Sequence, residues 1–384
     1  MKFLTKHLLT IFTIGNLMAV YRMLRPFSDV VFYASLAIGV LMVLMNIGNV
    51  FSRQTITKYK VFFFFILVMW IYQFIFGMDK IYPKTWTYLV SKTVMLLMTI
   101  AVIERHPQYY LKTYYIIISY IAAVLLVIGF FLFPFTPDGR MGLGFANPNT
   151  TGGLSAICFC FLYLSENNNV PKWHKRILLL IFAFAVLASG SRASLGLLVL
   201  AFIYKHGLSG KLITTGALIL ITVFFVLPHF GLAFQGIDRF IDTINSQEFS
   251  AGREDVREAA WVMINNSPIE GNGIYCSQSE EAMLISDLGS HNAYLDFLKW
   301  FGYPLGGLLI ASLFWCAYQL LRIFWKSSNF CFRAHLLVVW GVLGMCFFEG
   351  LIWGVNEINN TLFFASFAIL EFYKSNEASQ PIMQ

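Results

Sequence analysis

Charge is what this 384-residue chain has least of: 12% of its residues are Asp, Glu, Lys or Arg, and 58% are hydrophobic. An ordinary soluble domain carries roughly 25% charged residues, so the scarcity excludes a water-soluble globule, which has no way to hide this much apolar surface. Metal-holding patterns are missing too. There is no Asp-x-Asp pair and no carboxylate–histidine cluster, which disfavours a cation-dependent transferase. Cys158, Cys160, Cys276, Cys316, Cys331 and Cys346 show no Cys-x-x-Cys spacing, and all but Cys276 lie in or beside apolar runs, so neither a disulfide framework nor a zinc site is expected. The absence of a Gly-x-Ser-x-Gly elbow argues against a serine hydrolase, and that of a Gly-x-x-x-x-Gly-Lys loop against nucleotide binding. Acids within the apolar runs are few, chiefly Glu349, with Lys92 a further charge there. A proton-coupled transporter needs a richer acidic relay.

What the chain has in abundance is apolar stretches of the length that crosses a hydrocarbon layer of about 30 Å. Twelve spans are read, near 8–21, 29–51, 61–78, 87–103, 113–133, 150–165, 177–190, 193–204, 212–228, 302–321, 336–353 and 360–373. With the N-terminus inside, the inner segments hold sixteen Lys and Arg residues and the short outer loops six, which puts both termini in the cytoplasm. The net charge of +7 is therefore a topology signal, dispersed over short loops, and not a nucleic-acid-binding face. Lys2 and Lys6 before an apolar run look like a signal peptide, but Leu17-Met18-Ala19 lacks the small residue a cleavage site needs, and an uncleaved first span is expected. The expected organisation is residues 1–228 with spans one to nine, an extracytoplasmic helical loop over 229–301, and residues 302–384 with three more spans and a cytoplasmic tail.

Ile177 to Tyr204 is one apolar run interrupted by Ser189-Gly190-Ser191-Arg192. As one helix it would be about 42 Å long and would place a basic cluster on the wrong side. Two short spans forming a hairpin satisfy the charges, with Arg192 at a tip sunk inside the protein. In the outer loop, Val256, Ala259, Ala260, Met263 and Ile264 make a helical stripe over Glu254–Asn266, with Ser250 a candidate N-cap. Ser267-Pro268 and Gly271-Asn272-Gly273 read as a stop and turn, and Asn292 as the cap of a second helix running towards Trp300.

Five residues are candidates for chemistry. Arg192 carries the sharpest argument, since a charge within a span costs on the order of 2.5–3.5 kcal/mol and tends to mark a site; the plainer reading is a carboxylate or carbonyl partner at the hairpin tip. Arg140 stands in a Gly- and Asn-rich loop whose backbone can approach an anion, and Asn147-Pro148-Asn149 can cap the following helix. Arg253 and Arg257 lie four apart on one helix face, where an anion over them would relieve their repulsion, though Glu254 and Glu258 offer local pairing. His291 suits removal of a proton from a sugar hydroxyl; a lone histidine is otherwise solvated or structural.

Three segments in this order, "GRMGLGFANPNTTGG" followed by "ASGSRASLGLL", then "SAGREDVREAAWVMINNSPIEGNGIY", then "SHNAYLDFLKWFGYPLGGLL", resemble the bacterial O-antigen ligase and polysaccharide repeat-unit polymerase family. The resemblance covers roughly residues 138–310. It implies an all-α polytopic fold like that of C-type glycosyltransferases, in the bacterial inner membrane with its active site on the extracytoplasmic face. It implies a metal-independent, inverting transfer with no cofactor, acting on undecaprenyl-diphosphate-linked oligosaccharides as donor and acceptor, with membrane lipid and a chain-length regulator protein as partners and no nucleic acid. Arg192 and Arg253 would hold the donor diphosphate with Arg140 assisting and Arg257 beside them, and His291 would be the general base. The expected activity is repeat-unit polymerisation for O-antigen, capsule or exopolysaccharide. Ligation of glycan to a lipid A core, and non-catalytic transport of the lipid-linked glycan, are the alternatives. Transport is disfavoured by the lack of internal repeats.

Overall fold

In a bilayer each backbone N–H and C=O must find a partner within the protein, so apolar runs that cross it become helices. The structure is a computed structural model that describes residues 2–82, 84–136, 140–165, 170–207, 254–276, 290–355 and 357–377. Among the described residues there is no β-strand, only the isolated bridges Tyr21–Phe145 and Phe135–Met141. The main helices are α1 (Lys2–Val20), α2 (Arg25–Met45), α3 (Lys60–Ile75), α4 (Thr85–Arg105), α5 (Tyr114–Leu132) and α6 (Pro148–Leu164). They continue with α7 (Lys172–Ser189), α8 (Arg192–His206), α9 (Glu254–Asn266), α10 (Ala293–Phe324), α11 (Phe330–Met345) and α12 (Ile358–Glu377).

Eleven of the twelve expected spans fall on α1–α8 and α10–α12, and the ninth, 212–228, lies outside the described residues. Among the described residues, whose elements are all helical, five helices, α1, α2, α4, α5 and α10, have the length and apolarity a crossing needs, consistent with a polytopic membrane protein, and α3 and α11 are shorter apolar helices. The hydropathy pattern thus reaches further than helix length alone supports. α6 is an interior helix, touching α5, α7, α8, α11 and α12. Beyond its polar first turn it is apolar nearly all round, as a helix surrounded by others should be, and Leu154, Ile157, Cys158 and Phe161 are fully buried.

The helix after Asn292 and the span from 302 meet where the sequence puts the boundary, at Gly302, whose non-helical backbone (φ 72°, ψ 174°) separates the two halves of α10. A Cβ there would run into the Ile269 carbonyl, so only glycine fits both the left-handed backbone and the space. The turn after α9 satisfies the backbone around the break. Tyr303 N–H donates to Pro268 O at 2.7 Å, Asn272 N–H to Lys299 O at 2.9 Å and Gly273 N–H to Trp300 O at 3.2 Å. The stretch before the break is not peripheral: Phe297 meets Phe65 at 5.7 Å and Phe301 meets Tyr72 at 4.8 Å between ring centroids.

The expected span 336–353, by contrast, is corrected: it is not one helix. α11 ends at Met345, and the chain continues irregularly through Trp353. Irregular backbone at this depth is tolerated only where protein covers it. Here Ala293 N–H donates to Cys346 O at 2.9 Å and Trp353 Nε1–H to Ala293 O at 2.8 Å. Lys92, fully buried, ties down the same stretch by donating to Ile352 O at 2.8 Å and Asn360 Oδ1 at 2.9 Å. The intramembrane lysine thereby has a structural account.

Candidate active site

The hairpin forms as expected. Gly190 closes α7 in the left-handed conformation at φ 63°, Ser191 occupies the N-cap position of α8, and Arg192 is its first residue. Asn147 caps α6 by accepting from Asn149 N–H, with Pro148 at the first helical position, where its missing N–H costs nothing. These two helix starts, both favourable to anions, come together through Arg140, whose Nη2 donates at 2.8 Å both to Asn149 Oδ1 and to Ser189 O at the hairpin tip.

A cavity of about 530 Å³ opens between them, with Arg140, Asn149, Arg192, Arg257 and Glu349 at its polar end. Three guanidinium groups against one carboxylate leave the lining cationic. Below, Gly196, Leu197 and Leu200 of α8 face Trp340, Gly341 and Gly344 of α11. A Cβ built on Gly196 or Gly344 meets nothing within 4 Å, so these glycines contribute open space. Arg192, Gly196 and Leu200 are four apart, so they descend one face of α8 over about 12 Å. The cavity is charged at one end and apolar along its length.

His291 stands beside this cavity, held by its neighbours. Its φ of 51° is left-handed, a conformation histidine adopts more readily than most residues. Asn292 Oδ1 accepts from Tyr294 N–H at 3.0 Å and Leu295 N–H at 3.2 Å, the expected cap, while Ser290 Oγ donates to Asp296 Oδ1 at 2.9 Å. Asp296 in turn pairs with Lys299 at 3.1 Å. His291 Nδ1 lies 3.5 Å from Glu349 Oε2, and Asn149 Nδ2 donates to Glu349 Oε1 at 2.6 Å. An unbroken polar chain therefore runs from His291 through Glu349 and Asn149 to Arg140.

Arg257, on α9, joins the lining and approaches Phe347 O at 3.5 Å. The structure thus gathers Arg140, Arg192 and Arg257 on one cavity with His291 adjoining it; Arg253 lies outside the described residues, as does the candidate cap Ser250. Glu349 and the side chain of Asn149 are further polar groups of this cavity that sequence reasoning did not assign to the site. Asn149 was legible only as part of a helix cap, and Glu349 only as an acid in an apolar run. Nearby, burial pushes the Glu357 carboxyl from its ordinary 4.5 up to about 7, against the pull of Lys92 and with Glu349 and Asp296 adding to the rise.

Comparison with known proteins bears on this site. Residues 177–311 match the family model described as O-antigen ligase, a segment that takes in Arg192, Arg253, Arg257 and His291 but neither Arg140 nor Glu349. That match supports the O-antigen ligase and polymerase family indicated by the motifs. A search of curated proteins gave no match.

Proposed function

We propose that this member of the O-antigen ligase and polymerase family is an oligosaccharide repeat-unit polymerase. It moves a growing glycan from undecaprenyl diphosphate onto the next lipid-linked unit at the extracytoplasmic face of the inner membrane. The observation that carries the reading is the cavity's shape and polarity. Arg140, Arg192 and Arg257 suit a diphosphate, and the descending apolar walls of α8 and α11 suit the prenyl chain attached to it. Arg253 is proposed to complete the diphosphate clamp.

In this mechanism an acceptor hydroxyl gives its proton to His291 as its oxygen attacks the anomeric carbon. The bond from that carbon to the diphosphate oxygen breaks, and the diphosphate departs with the electron pair. Direct attack inverts the anomeric centre. The guanidinium groups are already fixed where negative charge accumulates, and such preorganised charge lowers a barrier without reorganisation cost.

A second reading, transfer of finished glycan to a lipid A core, is favoured by the description of the matched family model, O-antigen ligase. The outer loop is short in sequence and leaves little extra domain for docking a lipopolysaccharide core, which favours polymerisation. A deletion strain separates the two. Single repeat units still reaching the surface are the result expected for a polymerase, whereas polymer accumulating on the carrier lipid would overturn that reading in favour of a ligase. Normal polymer on the wrong face would remove both and point to transport.

A further inference from the structure

We infer that Glu349 is a positioning residue for His291 and links this base to the donor-binding arginine side of the site. The inference rests on the proposed role of His291 as base. Its observation is that the two carboxylate oxygens of Glu349 serve different partners. Oε1 takes the Asn149 amide at 2.6 Å, and Oε2 faces His291 Nδ1 at 3.5 Å. The shorter bond fixes the rotation of the carboxylate and so aims its second oxygen at the imidazole.

A carboxylate facing Nδ1 retains the N–H on that nitrogen and leaves the lone pair on Nε2, the nitrogen that must take the acceptor's proton. After that transfer the ring is a cation. The two side chains are only 16% and 14% exposed, so the attraction of Glu349 for the imidazolium is weakly screened. The 3.5 Å separation is at the outer limit of a hydrogen bond, and such contacts commonly shorten once substrate is bound.

The same carboxylate reaches the donor side. Asn149 uses its N–H on Glu349 and its carbonyl oxygen on Arg140 Nη2, at 2.8 Å. One amide therefore connects the base's carboxylate to a cation of the diphosphate clamp. The three parts come from the start of α6, the irregular stretch after α11 and the turn before α10, so the arrangement also registers these elements against one another.

The test is a double-mutant cycle on the purified full-length protein in nanodiscs, with an undecaprenyl-diphosphate-linked oligosaccharide as donor and acceptor. Glu349→Gln keeps the shape and an acceptor for Asn149 but not the carboxylate. It is expected to lower kcat about 10- to 100-fold, the usual cost of losing a histidine's carboxylate partner, with donor KM unchanged and part of kcat recovered in Glu349→Asp. Because the two residues act as a unit, the pair His291→Ala/Glu349→Gln should turn over no more slowly than His291→Ala alone. Wild-type kcat in Glu349→Gln beside a slow His291→Ala would overturn the inference and leave the base reading intact. A double variant slower than His291→Ala by the full Glu349→Gln factor would overturn it in favour of a purely structural role. Wild-type turnover in His291→Ala would overturn the base reading itself. If Glu349→Gln fails to fold, the same cycle is run with Glu349→Asp.

Discussion

Gly196 and Gly344 make the cavity testable one residue at a time. Neither has a neighbour within 4 Å of the position of a Cβ, and both line the cavity beneath the arginines. Gly344→Leu should therefore fold normally, since replacing a helical glycine tends to gain up to about 1 kcal/mol. It should nevertheless abolish transfer by filling the space assigned to the prenyl chain. Thermal unfolding together with a transfer assay checks this, and normal transfer by a stable Gly344→Leu would exclude the cavity as the donor site. The residues that sequence reasoning found here, Arg140, Arg192, Arg257 and His291, were legible because an arginine at a hairpin tip or a histidine beside a cap conflicts with its local surroundings. Glu349 was hidden for the opposite reason. Its partners Asn149 and His291 lie 200 and 58 positions away, and the apolar run around it reads as an ordinary span.

At the scale of elements, the legible features were those set by local rules. The glycine turn between α7 and α8, the cap at Asn292 and the stripe over α9 all appear where the sequence puts them. The early end of α11 and the burial of the first half of α10 were not legible, because both depend on contacts with distant carbonyls and rings. Gly302→Ala should destabilise the protein by at least about 1–2 kcal/mol, the cost of a left-handed residue bearing a Cβ, with further loss from the Ile269 carbonyl it would meet. A thermal midpoint equal to that of the wild type would contradict this account of the break.

The stretch between α11 and α12 carries a pH signature. With its carboxyl raised from 4.5 to about 7, Glu357 keeps a proton in the folded chain that it releases in the unfolded one. Stability then falls as pH rises through that window. Relative to Glu357→Gln, the wild type should lose up to about 3 kcal/mol between pH 4.5 and 7. Parallel pH profiles of unfolding for the two proteins would contradict it.

At the scale of the whole molecule, the helices bring the starts of α6 and α8, the turn before α10 and the end of α11 to one end of the bundle. In the proposed topology, which rests on the positive-inside pattern, that end faces the outer side of the membrane, where lipid-linked glycans would meet it. The most direct measurement is steady-state transfer by the purified protein with a lipid-diphosphate-linked oligosaccharide, comparing wild type, Arg192→Ala and His291→Ala. The account predicts a donor KM raised at least about tenfold in Arg192→Ala, the loss of a charge-assisted contact. In His291→Ala it predicts a kcat lowered about 10²- to 10⁴-fold with donor binding retained. Wild-type kinetics in both variants would contradict the central claim that this cavity and its histidine carry glycosyl transfer.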